Sequence, residues 1–551
     1  MKTQFKDALW IGKLTLCLAL TATALGGGGA AHAASAPGDV VGKVSVGYQG
    51  WFSAAGDGSP VNAWGHQNLE MWPDMREYTT TYQTSFANFG NGQPAKMFSS
   101  YDQSTVNVHF NWMTQNGIDT AALQRFVNEI TPGSTLKAQR DGVALKVMNA
   151  AQSAGRKFYV MYDTSGGTAG MQADWTNTIV NTLHLTSSSA YAKQNGKPVV
   201  CIWGVGYHFF PNPTDGAAII NWFKAQGCYV IAGVPGDWRT GTGSGNTQAG
   251  YGTVWPICDM IMPWQVGGGP DEPWMTADFA YCNSHNIDYQ SDVYPGFSFH
   301  NSNAGSPANQ MPRNHGDFMW SQFALVKKVG VPSAYISMFD EVNEGTAIFK
   351  CAEDTSMSPT NQWFLNLDAD GKHLSSDYYL RLTNNGGKML KGQLPLQTLN
   401  STPFVINSTI ANGTYRIIGR GSGRALDVGG QLIANGSPID LWDYNAGSNQ
   451  LWSIQSIGSG HYKIIGVQSG RALEANGQGT ANGTAIDLYD YNTGTNQQWS
   501  IVPTDSGYFK IIGVQSGRAL DVNGAGTANG SGTELWDYNG GLNQQWSVGP
   551  Q

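Results

Sequence analysis

The chain has 551 residues, of which only 13% are charged, and its 31 Lys and Arg against 39 Asp and Glu leave a formal net charge of −8. That length accommodates two or three domains with sizeable cores, and with no basic run, nucleic acid is excluded as an expected partner.

Lys2, Lys6 and Lys13 lead into an apolar stretch, Leu14 to Leu25, that ends in Ala31-His32-Ala33. This is the layout of a secretory signal with a small-residue cleavage site, too short to span a bilayer comfortably. Residues 1–33 are therefore expected to be removed and the protein to be secreted. No later apolar run is long enough for a membrane helix, so no membrane association is expected. Cys17 leaves with the signal, and Cys201, Cys228, Cys258, Cys282 and Cys351 remain. Export permits disulfides, but the number is odd, the spacing fixes no pairing and none forms C-x-x-C. Buried apolar cysteines fit equally well.

Between Val44 and Glu344, eight strand-like apolar segments alternate with stretches able to hold a helix. They fall at 44–52, 117–126, 157–163, 197–204, 228–234, 259–267, 293–299 and 334–341. Several are nearly continuous apolar runs, as in strands buried on both faces of a parallel sheet. Segments 141–155 and 217–227 have helical spacing and end in Gly, a helix-stop signal. Eight alternations over about 300 residues favour a (β/α)8 barrel, placed at 40–392. A doubly wound open sheet is disfavoured because no G-x-G-x-x-G follows the first strand.

Active sites of such barrels lie at the C-terminal strand ends. Here those ends carry Tyr48-Gln49-Gly50-Trp51, Gln124-Arg125, Tyr162-Asp163, Trp203, Pro263-Trp264-Gln265 and Phe339-Asp340-Glu341. Rings stack on sugar faces and carboxylates do glycosidic chemistry, so Tyr48, Trp51, Asp163, Trp264 and Asp340 are candidate substrate-binding residues. Barrel packing is the alternative for the aromatic ones. Arg313 could grip hydroxyls or orient a carboxylate through its fork of donors, or could form a structural ion pair at a helix start. Asp102 and His109 are further candidates, able to reach the site from the loop after the first strand.

The eighth segment runs straight into Asp340-Glu341-Val342-Asn343-Glu344-Gly345-Thr346. Carboxyls crowded at one strand end push their pKa values apart. Glycoside cleavage needs that arrangement, with one carboxyl protonated toward the leaving oxygen and another ionised beside it. A solvated acidic loop is the alternative. The stretch MFDEVNEGTAIFK (338–350), preceded by MPRNHGDFMWSQF (311–323), resembles the core of the family-99 glycoside hydrolases and their family-71-like relatives. Those enzymes include endo-acting α-mannosidases and α-glucanases. The family carries a Glu-x-x-Glu pair followed by Gly-Thr, which Glu341 and Glu344 match. The resemblance implies that Glu341 is the base that deprotonates the sugar's own 2-hydroxyl, giving an anhydro-sugar intermediate. It implies that Glu344 is the general acid and then the base, with a retaining outcome. Val342-Asn343 stands between the acids where the characterised mannosidases commonly show Trp-His. α-Mannan and α-glucan are both open as substrate, and so is a non-catalytic glycan-binding barrel. There is no H-E-x-x-H, no paired-cysteine spacing, no G-x-S-x-G and no P-loop, so no metal or cofactor is expected.

Residues 361–392 read as a closing segment with a last helix near 377–390, and 393–403 (QLPLQTLNSTP) as a linker. Beyond it the text repeats. Trp452, Trp499 and Trp546 are spaced 47 apart, following YRIIGRGSGRALDV, YKIIGVQSGRALEA and YFKIIGVQSGRALDV. A period of this size means units that complete one another's core, and these read as short strands between Gly, Asn and Ser turns. With the triplets Gln450-Leu-Trp452, Gln497-Gln-Trp499 and Gln544-Gln-Trp546, residues 404–551 resemble a β-trefoil of the ricin-B lectin type, a family-13 carbohydrate-binding module. The resemblance implies a sugar site per repeat built from a carboxylate, an aromatic platform and an amide. These are Asp427, Trp442 and Asn449, then Glu474, Tyr489 and Asn496, then Asp521, Trp536 and Asn543. Asp443, Asp490 and Asp537 belong either to those sites or to turns, and the Q-x-W tryptophans fill the shared centre. The whole reads as a secreted, monomeric glycoside hydrolase, a barrel followed by an all-β trefoil that holds a polysaccharide or glycan.

Overall fold

The computed structural model describes residues 34–65, 68–242, 247–303, 305–404, 410, 412–458, 460–504 and 508–550. The expected signal segment and Cys17 lie outside the described residues. Eight strands run in the order β1 (Val44–Tyr48), β2 (Thr120–Phe126), β3 (Lys157–Asp163), β4 (Lys197–Trp203), β5 (Tyr229–Val234), β6 (Met260–Pro263), β7 (Asp288–Val293) and β8 (Ser333–Ile336). Each pairs in parallel with the next, and β8 pairs with β1, so the sheet closes on itself. Among the described residues six long helices accompany it, α1 (Gln103–Gln115), α2 (Thr135–Ala154), α3 (Pro213–Ala225), α4 (Glu272–Ser284), α5 (Asp317–Val329) and α6 (Tyr378–Leu390), and between β3 and β4 a short turn at Met171–Ala173 continues as a π-helix at Asp174–Val180. Their ends follow local chemistry. In α2 the Ser134 side chain accepts from Lys137 N–H, and Gly155 closes the helix in the left-handed conformation at φ +62°.

The seventh strand is not where hydropathy puts it. Residues 294–299 form the loop after β7, and the strand itself reads DYQSDV, with all six residues buried. Most of its polar groups are paired inside the barrel, Gln290 Oε1 excepted, which is why an apolar pattern does not reveal it. Tyr229 Oη donates to Asp288 Oδ2 at 2.6 Å, Gln290 Nε2 donates to Ser45 Oγ at 3.3 Å, and Ser337 Oγ donates to Asp292 Oδ1 at 2.7 Å. The eighth strand stops at Ile336 instead of reaching Glu341, and the chain then crosses the end of β1, where Phe339 N–H donates to Gly47 O at 2.8 Å. A Cβ at Gly47 would overlap the Met338 thioether and the Tyr335 hydroxyl, so a larger residue there would have to displace both side chains. Cys201, Cys228, Cys258, Cys282 and Cys351 are all free thiols in the core.

The second domain has twelve strands, four in each repeat. Gly413–Gly419, at the start of the first repeat, pairs with Trp546–Pro550 at the end of the third, which closes the ring of units. Trp452, Trp499 and Trp546 are fully buried and donate Nε1–H to Leu426 O, Leu473 O and Leu520 O at 2.9, 2.9 and 3.1 Å. The bulky residue of each unit thus fills the centre with its one polar atom paired.

The connecting segment is tied to the barrel. Trp320 Nε1 donates to Gln397 O at 3.0 Å, Asn400 Nδ2 to Tyr378 Oη at 2.7 Å, and Arg381 Nη1 to Pro403 O at 2.7 Å. The trefoil also meets the barrel directly, at the loops after β1 and β8. Arg420 lies 3.7 Å from the Glu77 carboxylate, and the Arg76 side chain comes up against Gly540. Lys510 sits in the field of Glu353 and Asp354, and burial at this seam pulls its pKa down. Reversing both cations, Arg420→Glu with Lys510→Glu, should raise the radius of gyration measured by small-angle scattering while both domains stay folded. An unchanged radius would show that the seam does not hold the domains together.

Candidate functional site

The site begins with a buried carboxylate. Asp340 is fully buried, and its Oδ1 and Oδ2 accept the backbone N–H groups of Gln49 (2.7 Å) and Gly50 (3.0 Å). Gly50 sits at φ +59°, a left-handed conformation that glycine adopts without strain. This clamp fixes the turn after β1 and aims Gln49 at Glu341. Gln49 Nε2 donates to Glu341 Oε2 at 2.8 Å, and Asn343 N–H donates to Glu341 Oε1 at 2.8 Å. Gln49 Oε1 is buried without a hydrogen-bond partner.

Glu341 is 2% exposed, whereas Glu344 is partly open to solvent. Burial raises both carboxyls above their ordinary range, and each has a charged neighbour that adds to it, Glu344 for Glu341 and Asp163 for Glu344. Asp163 lies at the end of β3, where its own oxygens accept from Gln124 Nε2 and Ser165 N–H, both at 2.8 Å. Burial lifts Asp163 as well, and pushes Asp340 up to about 6 against the pull of its two N–H donors. The fold thus gathers Glu341, Glu344, Asp340 and Asp163 at the C-terminal ends of β8 and β3.

Three residues expected to meet substrate instead hold the scaffold. Tyr48 is fully buried with its hydroxyl 2.9 Å from His109 Nδ1, so its ring belongs to the core. His109 is itself sealed between Tyr48 and Tyr78, and burial pulls it down to about 3, leaving a neutral imidazole remote from solvent. Arg313 is 3% exposed, donates to Gly345 O (2.9 Å) and Ala347 O (2.7 Å), and lies over the Tyr379 ring. It secures the turn that follows Glu344. Asp340 is the clamp described above. Trp51 is half-buried and stacked on Phe126 at 5.5 Å, while Trp264 is half-buried, edge-on to Trp203 and on the wall of a cavity. Asp102 precedes α1 and accepts from Tyr82 Oη at 3.1 Å.

The trefoil brings each expected trio together. Asn449, Asn496 and Asn543 donate to Asp427, Glu474 and Asp521 at 2.6, 3.1 and 2.9 Å. Trp442, Tyr489 and Trp536 are 45%, 43% and 41% exposed, unusual for such large rings and suited to stacking. The buried Gln450, Gln497 and Gln544 pin the loop between ring and amide, each donating to the carbonyl of Asp443, Asp490 or Asp537 at 2.9–3.0 Å. Those three aspartates pair with Arg424, Arg471 and Arg518 of their own repeats at 3.0–3.1 Å and accept from Asn529, Asn435 and Asn482 of a neighbouring repeat at 2.9–3.0 Å, so they tie repeat to repeat. A second carboxylate in each repeat escapes the sequence reading. Asp440, Asp487 and Glu534 stand directly across the ladder from Asp427, Glu474 and Asp521. Their signal is an acid two residues before each exposed ring.

Comparison with known proteins matches residues 413–546 to the model of the ricin-type beta-trefoil lectin domain. No curated protein sequence matches the chain. Among solved structures, the designed three-fold symmetric protein ThreeFoil is 37% identical over 25% of this chain and 100% of its own, with a TM-score of 0.25. An exo-beta-1,3-galactanase from Clostridium thermocellum is 32% identical over 26% of this chain and 31% of its own, with a TM-score of 0.25. Two structures of the GH99 endo-alpha-mannosidase from Bacteroides thetaiotaomicron are 14% identical over 64% of this chain and 98% of theirs, with TM-scores of 0.48 and 0.47. The chain therefore carries a ricin-type β-trefoil lectin domain, a carbohydrate-binding module, behind a closed (β/α)8 barrel.

Proposed function

We propose that the protein is a secreted glycoside hydrolase whose barrel cleaves glycosidic bonds in a polysaccharide or glycan that the trefoil holds. The observation that carries this reading is the asymmetry of the acid pair. Glu341 is braced by two N–H donors, which favour its ionised form. Glu344 is partly exposed, is raised by burial and by Asp163, and makes no hydrogen bond through its carboxyl among the described residues. Burial and mutual repulsion raise both carboxyls, so the pair holds a shared proton, and Glu344, without a donor on its carboxyl, is the one placed to pass it to a leaving group. In the retaining route that the Glu-x-x-Glu motif suggests, Glu341 takes the proton of the sugar's 2-hydroxyl and O2 attacks the anomeric carbon. The bond to the leaving oxygen breaks as Glu344 delivers its proton. Water deprotonated by Glu344 then opens the anhydro ring at the anomeric carbon, and O2 recovers its proton from Glu341. α-Mannan and α-glucan are the substrates to try first.

Glu341→Gln and Glu344→Gln should each lower turnover by about 10²–10⁴-fold on a natural polysaccharide. Glu344→Gln should be largely spared on an aryl glycoside whose leaving group needs no proton. A fully active variant at either position would sink the assignment.

The raised pKa of Glu341 also has a stability signature. A carboxyl whose folded pKa lies above its unfolded value costs stability as pH rises through that interval, because the folded state resists ionising it. Glu341→Gln removes that cost, so its melting temperature should gain on the wild type as pH rises from about 4 toward 8. A gap between the two proteins that is constant with pH would contradict the burial-driven shift.

In the trefoil, neutralising the three acceptors together (Asp427→Asn, Glu474→Gln, Asp521→Asn) should abolish retention on polysaccharide columns. Hydrolysis of a small soluble substrate should be unchanged, since the module adds avidity and not chemistry. Retention at the wild-type level would remove those residues from the sugar sites.

A further inference from the structure

A cavity of about 440 Å³ opens at the ends of β4 to β7 and runs between β7 and the helices α4 and α5. Its walls include the rings of Tyr207, Trp264, Trp274 and Tyr294 and the carboxylates of Asp237 and Asp292. That size and mix of aromatic faces with a few polar groups is the usual makeup of a small-molecule site. Two links join it to the catalytic residues. Ser337, four residues before Glu341, donates to Asp292 Oδ1 at 2.7 Å. Trp264 packs edge-on at 5.5 Å against Trp203, which stands in register beside Asp163, the neighbour of Glu344. At the rim, Trp203, Tyr207 and Phe209 lie with their rings within 29° of parallel and 5.1–6.0 Å apart, and Phe209 is 41% exposed.

The walls are built for a flat ligand without negative charge. Among the described residues no Lys or Arg lines the cavity, so an anionic sugar would meet the carboxylates of Asp237 and Asp271 with nothing to offset them, beside Asp292, which burial lifts to about 7. The bottom is held by short polar ties, with Gln265 N–H donating to Asp292 Oδ2 at 2.8 Å and Trp274 Nε1 to Gly236 O at 3.0 Å. The glycines at 267–269 leave the adjoining loop without side chains. A ring bearing hydroxyls can stack on Trp264 and donate to the carboxylates, as uncharged sugars do.

We propose that this cavity is a subsite for an uncharged sugar ring of the bound glycan, distinct from the ring whose bond is cut. The proposal rests on reading the barrel as glycan-active. It is tested on the full chain carrying Glu344→Gln and the three neutralised trefoil acceptors, so that neither turnover nor the lectin sites contribute. Saturation-transfer NMR is run with the methyl glycosides of mannose, glucose, galactose and xylose, and with glucuronate. At least one neutral glycoside should bind, about tenfold or more weaker after Trp264→Ala, with recovery in Trp264→Phe, and glucuronate should not bind. Melting curves of each variant separate lost binding from lost folding. Neutral glycosides that give no signal, a signal indifferent to Trp264→Ala, or glucuronate binding equally well would each overturn the subsite. The two readings fail separately. Binding that depends on Trp264 in a protein that cleaves no glycan would leave the subsite standing without the hydrolase, and cleavage without such binding would do the reverse.

Discussion

The mouth of the barrel depends on one buried carboxylate accepting two consecutive backbone N–H groups. Placing Asp340 out of water is costly, and burial lifts it to about 6 even against the pull of its N–H donors. The N–H groups of Gln49 and Gly50 offset that cost, one to each oxygen. Asparagine could not replace it, because one of its two ends is a donor and would face a donor. The clamp joins the end of β1 to the segment that leaves β8, two strands adjacent in space and almost 300 residues apart in the chain. Gln49 can brace Glu341 only because its backbone is held there. The positions of the two glutamates are therefore set by Asp340 from one side and by Arg313, gripping the carbonyls of Gly345 and Ala347, from the other.

The trefoil solves a comparable problem three times over. Each unit must leave a large ring exposed above a buried acid while keeping its own core closed. The Q-x-W triplet does both. Its tryptophan fills the centre and donates inward to a strand carbonyl, while its glutamine reaches outward and fixes the loop between the exposed ring and the amide. Core and binding surface are thus two ends of one three-residue motif, which is why the motif survives intact in all three units. Repeat two shows the tolerance of the design. Glu474 is longer than the aspartates of the other units, and it reaches Gln497 as well as Asn496.

Periodicity and strand-end position made the architecture readable. The 47-residue spacing identified the trefoil and its three trios, and apolar runs located seven of the eight barrel strands. The eighth acid-bearing strand end was readable because carboxylates cluster there without any basic partner. What hydropathy could not show was a strand whose polar side chains are satisfied by other strands, as in β7. Nor could strand-end position tell a residue that meets solvent from one that turns inward. Tyr48, Asp340 and Arg313 all stand at the expected place in the chain, and each spends its polar groups on the scaffold. The partners that decide this, His109, the N–H groups of Gln49 and Gly50, and the carbonyls of Gly345 and Ala347, are distant in sequence for Tyr48, Asp340 and Arg313 alike. The acids Asp440, Asp487 and Glu534 recur two residues before each exposed ring, but that they face Asp427, Glu474 and Asp521 follows only from the ladder register.

The way the two domains are joined constrains what they can do together. A lectin on a long flexible tether samples many positions, and its benefit is a raised local concentration that falls as the tether lengthens. Here the connecting segment is bonded to α5 and α6 through Gln397, Asn400 and Pro403, and the trefoil rests on the loops after β1 and β8. Those are the loops that carry Gln49 and the Glu341–Glu344 turn. If the trefoil holds a polymer as proposed, the contacts of the connecting segment and the trefoil with the barrel restrict where that polymer can lie relative to the barrel mouth, so glycan geometry, as much as the identity of the sugar, would decide which polysaccharide reaches the acid pair.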